Sequence, residues 1–450
     1  MGLHAPFQGV FVVPAVNNVL QDHRVPSRYD IEPPRKQARV RLSTLENTYL
    51  DYLKMDNLQP FWVTLATYAA NMLPIETSLW LLLVGPPSCG KSATLSALNK
   101  LPRVFPTGTL TEAGLLSGSV QDTRADDGHG GLLDQIGPEI PGLICCKDYG
   151  SILSMGPGER QKLLAALREI YDGHWVRRLG SGGGITREWK GKAGLIGGVT
   201  PTIDKNHSAM ASMGERFLML RFHSTLESRL KQAEMALSTF IRQPEAREQL
   251  QGLTTNFMQE LDIPNQRIVP LPTRIEKLIL DLSHLISTSR SAVDRDCREK
   301  HVARPPEPEF PNRLAQQFVL LFHGLILIGC RAQEAWKTLF EVGLSSMPVT
   351  RRRILQRLAA TEGELPTRTI SESTKCSKKT TNRELESLLL LEVLEVRQKS
   401  GSAGSSWRLS DWARECYSKC EQGISDVERE VELALYDPLL LPEVTTRASP

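Results

Sequence analysis

The sequence predicts an α/β protein with a parallel sheet at its centre. Three observations predict it. Residues 79–84, Leu-Trp-Leu-Leu-Leu-Val, form a continuous apolar run, which fits a strand buried on both faces. Two further core-like runs, Gly142–Cys146 and Gly194–Val199, flank a helically spaced stretch, Glu159–Tyr171, and Phe217–Phe222 supplies another short strand. Strands that alternate with helices give a parallel sheet with crossover connections.

The elements follow in order. Residues 1–40 scatter Pro, Asn and Arg without a period, and Glu32–Arg41 reads as a flexible basic arm. Residues 41–75 turn helical, with Leu45, Tyr49, Tyr52 and Leu53, then Phe61, Leu65 and Tyr68, and Gln59-Pro60 breaks them into two helices. Residues 76–225 hold the α/β core, with Ser92–Leu101 as its first helix. Residues 226–345 read as a helical lid, interrupted by the stiff connector Pro305–Pro311. In residues 346–412, helices are expected at Thr350–Ala360, Thr367–Thr374 and Ser377–Leu391. Strands Val393–Lys399 and Ser406–Leu409 then surround the turn Ser400–Ser405. Residues 413–450 are a tail with no legible function.

A chain of 450 residues suggests two to four domains at roughly 100–200 residues each. A formal net charge of +3 excludes a polycation, so a nucleic-acid site must come from local clusters of Lys and Arg. The eight cysteines form no Cys-x-x-Cys pair, and Cys416 and Cys420 have no neighbouring His, which fits a reducing cytosol rather than a zinc site. There is no basic-then-apolar leader. The longest apolar stretch, Phe318–Cys330, falls short of the ~20 residues a membrane helix needs. The expectation is a soluble, cytoplasmic protein.

Residues 85–92 read Gly85-Pro86-Pro87-Ser88-Cys89-Gly90-Lys91-Ser92, a full phosphate-loop pattern after a buried strand and before a helix. The glycines let the backbone wrap round phosphates with its amides pointing inward, and the helix offers its N-terminus to the anion. Lys91 is expected to reach the terminal phosphates of ATP, and the Ser92 hydroxyl to ligate Mg²⁺. A carboxylate is also needed to hold Mg²⁺ and polarise water. The candidate is Asp148, at the end of the Gly142–Cys146 strand, but Lys147-Asp148-Tyr149 stands where Asp-Glu is usual. Two registers are open. In the preferred one Asp148 is the Mg²⁺-side carboxylate. In the other, Lys147 replaces that acid and Asp148 is the base.

These residues resemble the AAA+ class of P-loop ATPases, and within it the ring helicases of the MCM and superfamily-three type, a kind carried by phages and mobile elements. The resemblance spans roughly residues 75–345. It implies an ATP- and Mg²⁺-dependent core that self-associates into a ring, a hexamer by family habit. It assigns Thr200 the sensor-one role, which places the attacking water, although the family usually has Asn there. Gly214–Phe222 is similar to the MCM Ser-Arg-Phe element, which implies that Arg216 reaches a neighbour's ATP; Arg221 is a second candidate. A fixed guanidinium there stabilises charge on the γ-phosphate. Glu309–Leu314 resembles the start of the sensor-two helix, which implies a γ-phosphate contact for Arg313.

Between Asp148 and Thr200, His174–Lys192 reads as two strands round a Gly-rich turn at 180–184. Its arms carry Arg177, Arg178, Arg187, Lys190 and Lys192, with Trp175 and Trp189. Its position resembles the pre-sensor-one hairpin, which grips a nucleic-acid backbone inside the ring. The tryptophans either stack on bases or pack the hairpin base. The three C-terminal helices and two strands resemble a winged helix-turn-helix, with Lys378, Lys379 and Arg383 on the recognition helix facing DNA and Lys399 on the wing. The expected function is therefore a DNA-translocating ring ATPase, a DNA helicase of replication. The alternative is a DNA-binding ATP switch, such as a replication initiator, helicase loader or transposition regulator. A protein remodeller ranks third, because the winged helix argues against it.

Overall fold

The structure is a computed structural model that describes residues 34–116, 131–179, 185–206, 216–266, 270–296, 302–398, 405–425, 428, 429 and 431. Most of the expected basic arm, the hairpin turn at 180–184, Gly214 and Glu215, Lys399 with most of its turn, and nearly all of the tail beyond 425 lie outside the described residues.

Helices α1 (Pro34–Tyr52) and α2 (Gln59–Met72) lead into strand β1 (Trp80–Val84) and the short helix α3 (Lys91–Ser96). Helix α1 starts inside the run read as a flexible arm, because Ala38, Leu42 and Leu45 continue its buried stripe toward the N-terminus. Helix α3 is shorter than expected: after Ser96 the amides of Ala97, Leu98 and Asn99 bond three residues back, which tightens the chain out of the α-helix. Next come β2 (Val104–Thr107), α4 (Glu112–Leu115), α5 (Leu132–Ile136), β3 (Gly142–Cys146), α6 (Gly150–Leu153) and α7 (Pro157–Tyr171). The hairpin β4 (His174–Leu179) and β5 (Ile185–Lys190) precedes β6 (Ala193–Val199) and β7 (Phe217–Arg221).

The central sheet is parallel throughout, in the order β2-β3-β6-β1-β7. Side-chain alternation divides it between two cores. Leu81, Leu83, Leu143, Cys145, Ile196, Leu218 and Leu220 face the core made with α1, α2, α3 and the later helices. Trp80, Leu82, Val84, Ile144, Cys146, Leu195, Phe217 and Met219 face the core made with α4 to α7 and the hairpin tryptophans. A strand covered on both faces has to be apolar at every position, which is why β1 shows no polar period. Each large buried side chain contributes about 1.5–3 kcal/mol.

Helices α8 (Leu226–Ser238), α9 (Gln243–Glu260), α10 (Thr273–Arg290), α11 (Asn312–Leu327) and α12 (Ala332–Ser345) follow. The hydroxyls of Ser346 and Ser345, at the end of α12, accept from the outward amides of Met219 and Arg221 at 2.9 and 3.3 Å. These bonds cover the otherwise bare edge of β7. Beyond lie α13 (Val349–Ala359), β8 (Leu365–Pro366), α14 (Thr367–Thr374), α15 (Lys378–Leu390), β9 (Leu394–Gln398), β10 (Ser405–Leu409) and α16 (Asp411–Gln422). Strands β9 and β10 pair antiparallel, and the unexpected two-residue β8 extends them into a three-stranded sheet. Buried Arg351 ties this part down: Nη1 donates to the carbonyls of Ser289 and Ser291, and Nε to Glu384 of α15. No helix among the described residues is long and apolar enough to cross a membrane.

Candidate functional site

The central strand β1 ends at Val84, and the next amide, Gly85, is held by the Val199 carbonyl at 3.1 Å. The loop then turns through two left-handed residues, Ser88 at φ 62° and Gly90 at φ 95°. Gly90 takes that conformation without a Cβ penalty and releases the chain into α3. The Lys91 ammonium folds back onto the loop and donates to the carbonyls of Gly85 and Pro86, both at 2.7 Å, with the Cys89 sulfur at 3.7 Å. Thr94 fixes α3 from behind: its hydroxyl bonds the Gly90 carbonyl at 3.0 Å and lies 2.8 Å from the Tyr49 hydroxyl of α1.

A cavity of about 440 Å³ opens beside this loop. Its floor is Ser88 to Ala93, which includes Lys91 and Ser92. The turn Tyr52–Met55 between α1 and α2 forms one wall; Gln232, Met235 and Ala236 of α8, with Gln243 and Arg247 of α9, form another. Arg247 Nε donates to the Tyr52 hydroxyl at 3.3 Å, joining the two walls. Pro86 and Pro87 belong to the loop but not to the lining. Lys54, Lys91, Lys147 and Arg247 all line the cavity, and among the described residues no carboxylate does.

Asp148 and Lys147 differ in their relation to the cavity. Asp148 is exposed and outside the lining, whereas its neighbour Lys147 lies in it. Cys145 and Cys146 end β3 facing opposite cores, and Lys147 and Asp148 stand in the turn that follows. Gly198 of β6 lets the two lysine segments close in: a Cβ there would meet the Lys147 carbonyl at 2.9 Å and the Lys91 Cβ at 3.7 Å. Ser92 alone of the two expected Mg²⁺ ligands lines the cavity. Among the described residues the lining offers Mg²⁺ the Ser92 hydroxyl but no carboxylate, and Lys147 brings a positive charge instead, so this donor set does not fit the ion. Sequence reading named Lys147 only as an alternative and missed Lys54 and Arg247.

Thr200 follows β6, next in the sheet to β1, and its hydroxyl lies 2.6 Å from that of Thr202. Arg216 and Arg313 lie elsewhere. Arg216 precedes Phe217, which pairs with Trp80 at the start of β1, so it sits at the opposite end of the sheet from the Gly85–Ser92 loop. It is buried, bonds Asp172 at 2.7 Å and lies 5.4 Å over the Tyr171 ring. Arg313 lies 6.0 Å over the same ring and 4.0 Å from Glu309. Arg313 thus does not share an end of the sheet with its own chain's loop: α11 starts against the end of α7, not against α3. Arg221 is buried and bidentate to Asp204 at 2.8 and 2.9 Å.

The hairpin pairs Trp175 with Trp189 and Arg177 with Arg187 on one face. Both tryptophans are buried in the core, so they pack the hairpin base. Arg177 is half-buried, donating to the Leu116 carbonyl at 2.6 Å and pairing with Glu112 at 3.3 Å, and Arg187 pairs with Asp134 at 3.0 Å. Arg178 and Lys190 are exposed on the other face, with Lys190 2.9 Å from Glu188. Lys192 is a correction. It is buried, donates to the Leu73 carbonyl at 3.1 Å, and burial pushes its ammonium down to about 8. On α15, Lys378 and Lys379 are exposed in the first turn, which the Ser377 hydroxyl caps, and Arg383 pairs with Glu384 at 2.9 Å.

No family model and no curated protein matches the chain. Among solved structures, it is similar to the A form apo structure of the NrS-1 C-terminal region, with 11% identity and a TM-score of 0.25, over 82% of this chain and 76% of that one.

Proposed function

We propose that the chain is an AAA+-type P-loop protein that binds ATP in this cavity and uses its occupancy to switch its grip on DNA, as a replication initiator, helicase loader or transposition regulator does. The observation that carries the reading is the glycine loop with Lys91 at the carboxyl end of the central parallel strand, opening on a cavity with four cationic side chains. Ligands of open α/β sheets bind at that end of the strands. Two features support the family: β6 lies between the loop strand and the strand leading to Asp148, and a hairpin is inserted just before β6. For DNA, α13 to α15 with the β8-β10-β9 sheet resemble a winged helix-turn-helix that exposes Lys378 and Lys379. Among the described residues no carboxylate lines the cavity, which favours a switch over a motor, since hydrolysis needs a group to orient water.

The test is DNA binding with and without ATP. DNA affinity should change with ATP in the parent chain and become insensitive to ATP in Lys91→Ala. A parent whose DNA affinity ignores ATP sinks the switch.

The ring-motor reading keeps one specific observation. Arg216 and Arg313 share the end of the sheet opposite the cavity, where a head-to-tail neighbour's cavity would meet them. Helix α8, whose inner side lines the cavity, exposes Leu226, Leu230 and Leu237, with Phe240 and Ile241 just beyond, a surface suited to another copy. ATP-driven displacement of a labelled strand from a forked duplex separates the two readings, since a switch displaces none.

A further inference from the structure

We infer that this cavity holds the polyphosphate of a nucleotide by cationic side chains alone, with no divalent cation in the complex. The inference rests on the nucleotide reading above and departs from the metal dependence that the family resemblance implies. Three observations carry it. Lys147 lines the cavity together with Ser92, and its exposed neighbour Asp148 does not. Lys91 and Lys147 both line the cavity, so two ammonium groups serve one site. Among the described residues no carboxylate lines the cavity, and no cluster of three or more His, Cys, Asp or Glu side chains exists to hold a metal elsewhere.

The chemistry follows from charge. A divalent cation beside a triphosphate neutralises part of the phosphate charge and shares its oxygens with the protein. Here Lys147 does the first by itself and repels a cation that would do the second. Lys54 and Arg247, exposed at the rim, add to the same field. The preferred ligand is the free nucleotide anion, and Mg²⁺, which lowers the charge of that anion, competes with the site instead of completing it.

The experiment is a fluorescence titration of the full chain with a fluorescent ATP analogue, once in excess Mg²⁺ and once in excess EDTA. The inference expects affinity in EDTA equal to or tighter than that in Mg²⁺. A loss of about fivefold or more in EDTA, about 1 kcal/mol, overturns it and leaves the nucleotide reading standing. No binding in either buffer by a chain with a cooperative melt overturns both. Two variants sharpen the result. Lys147→Met should weaken binding by about tenfold in EDTA, and Lys147→Asp should make binding require Mg²⁺. Equal affinity of Lys147→Met and the parent in EDTA also overturns the inference.

Discussion

The two ends of the central sheet share five strands and differ in what those strands hold. At the carboxyl ends of β1 and β3 the chain leaves a loop, a cavity and exposed cations. At the amino ends it packs Trp80 against Tyr171 and Phe217, and sets Arg216 over the Tyr171 ring. The lysines differ in the same way. Lys91 rests on loop carbonyls that an anion can replace, whereas Lys192 is walled in beside Leu73. The lesson is that a basic residue in a strand-end motif is a ligand-binding group only where the fold leaves it a place to move. Changes at the carboxyl end should therefore cost binding without stability, and changes at the amino end the reverse.

The largest expected effect is at the carboxyl end. Lys91→Ala should weaken nucleotide binding by about a thousandfold, ~4 kcal/mol, because several charge-assisted bonds are lost together. Its unfolding free energy should stay within ~0.5 kcal/mol of the parent, as for other substitutions away from the core. A titration paired with urea unfolding checks both halves, and a large stability loss breaks the comparison.

Next is Lys192. Burial lowers its ammonium from 10.5 to about 8. Between those values the unfolded chain keeps the proton that the folded chain has released. The unfolded state then binds more protons, so this group makes stability rise as pH increases from about 8 to 10.5. The rise is at most about 3 kcal/mol, from the size of the shift. Lys192→Met should be more stable than the parent at neutral pH, by about 1–2 kcal/mol after the Leu73 carbonyl loses its donor. It should also lose the alkaline rise. Identical pH profiles for variant and parent in urea unfolding would count against the buried placement.

Arg216→Ala should destabilise by about 2 kcal/mol, through lost packing on Tyr171 more than through the Asp172 pair, whose acid is largely exposed to solvent. Nucleotide affinity of the dilute chain should not change. If it falls at concentrations where the chain self-associates, and only there, the amino end of one copy serves the carboxyl end of the next.

Much of this was legible in sequence, for definite reasons. An apolar run such as Leu81 to Val84 permits few placements, and a glycine loop followed by Lys91 fixes its own local geometry. The side chosen by Lys147 or Asp148 was less legible, because both stand in the turn after β3, where no strand period applies. The partners of Arg177, Arg187 and Lys192 were not legible at all. Glu112, Asp134 and the Leu73 carbonyl come from segments with no sequence relation to the hairpin. Two-residue β8 was too short to carry a period.

The smallest effects belong to DNA, and they extend the comparison to basic residues beyond the sheet. Lys378→Ala with Lys379→Ala removes two exposed charges. It should lower DNA affinity by about tenfold and reduce the dependence on log salt by about two. On the hairpin, the two adjacent arginines should behave differently. Arg178 is exposed, and Arg178→Ala should cost about threefold in nucleic-acid affinity if the hairpin touches a backbone at all. Arg177 already holds Glu112 and the Leu116 carbonyl. Arg177→Ala should instead cost about 1 kcal/mol of stability and leave affinity alone. Equal effects of the two on filter binding would mean that the hairpin rearranges on nucleic acid, since only a released Arg177 could reach it.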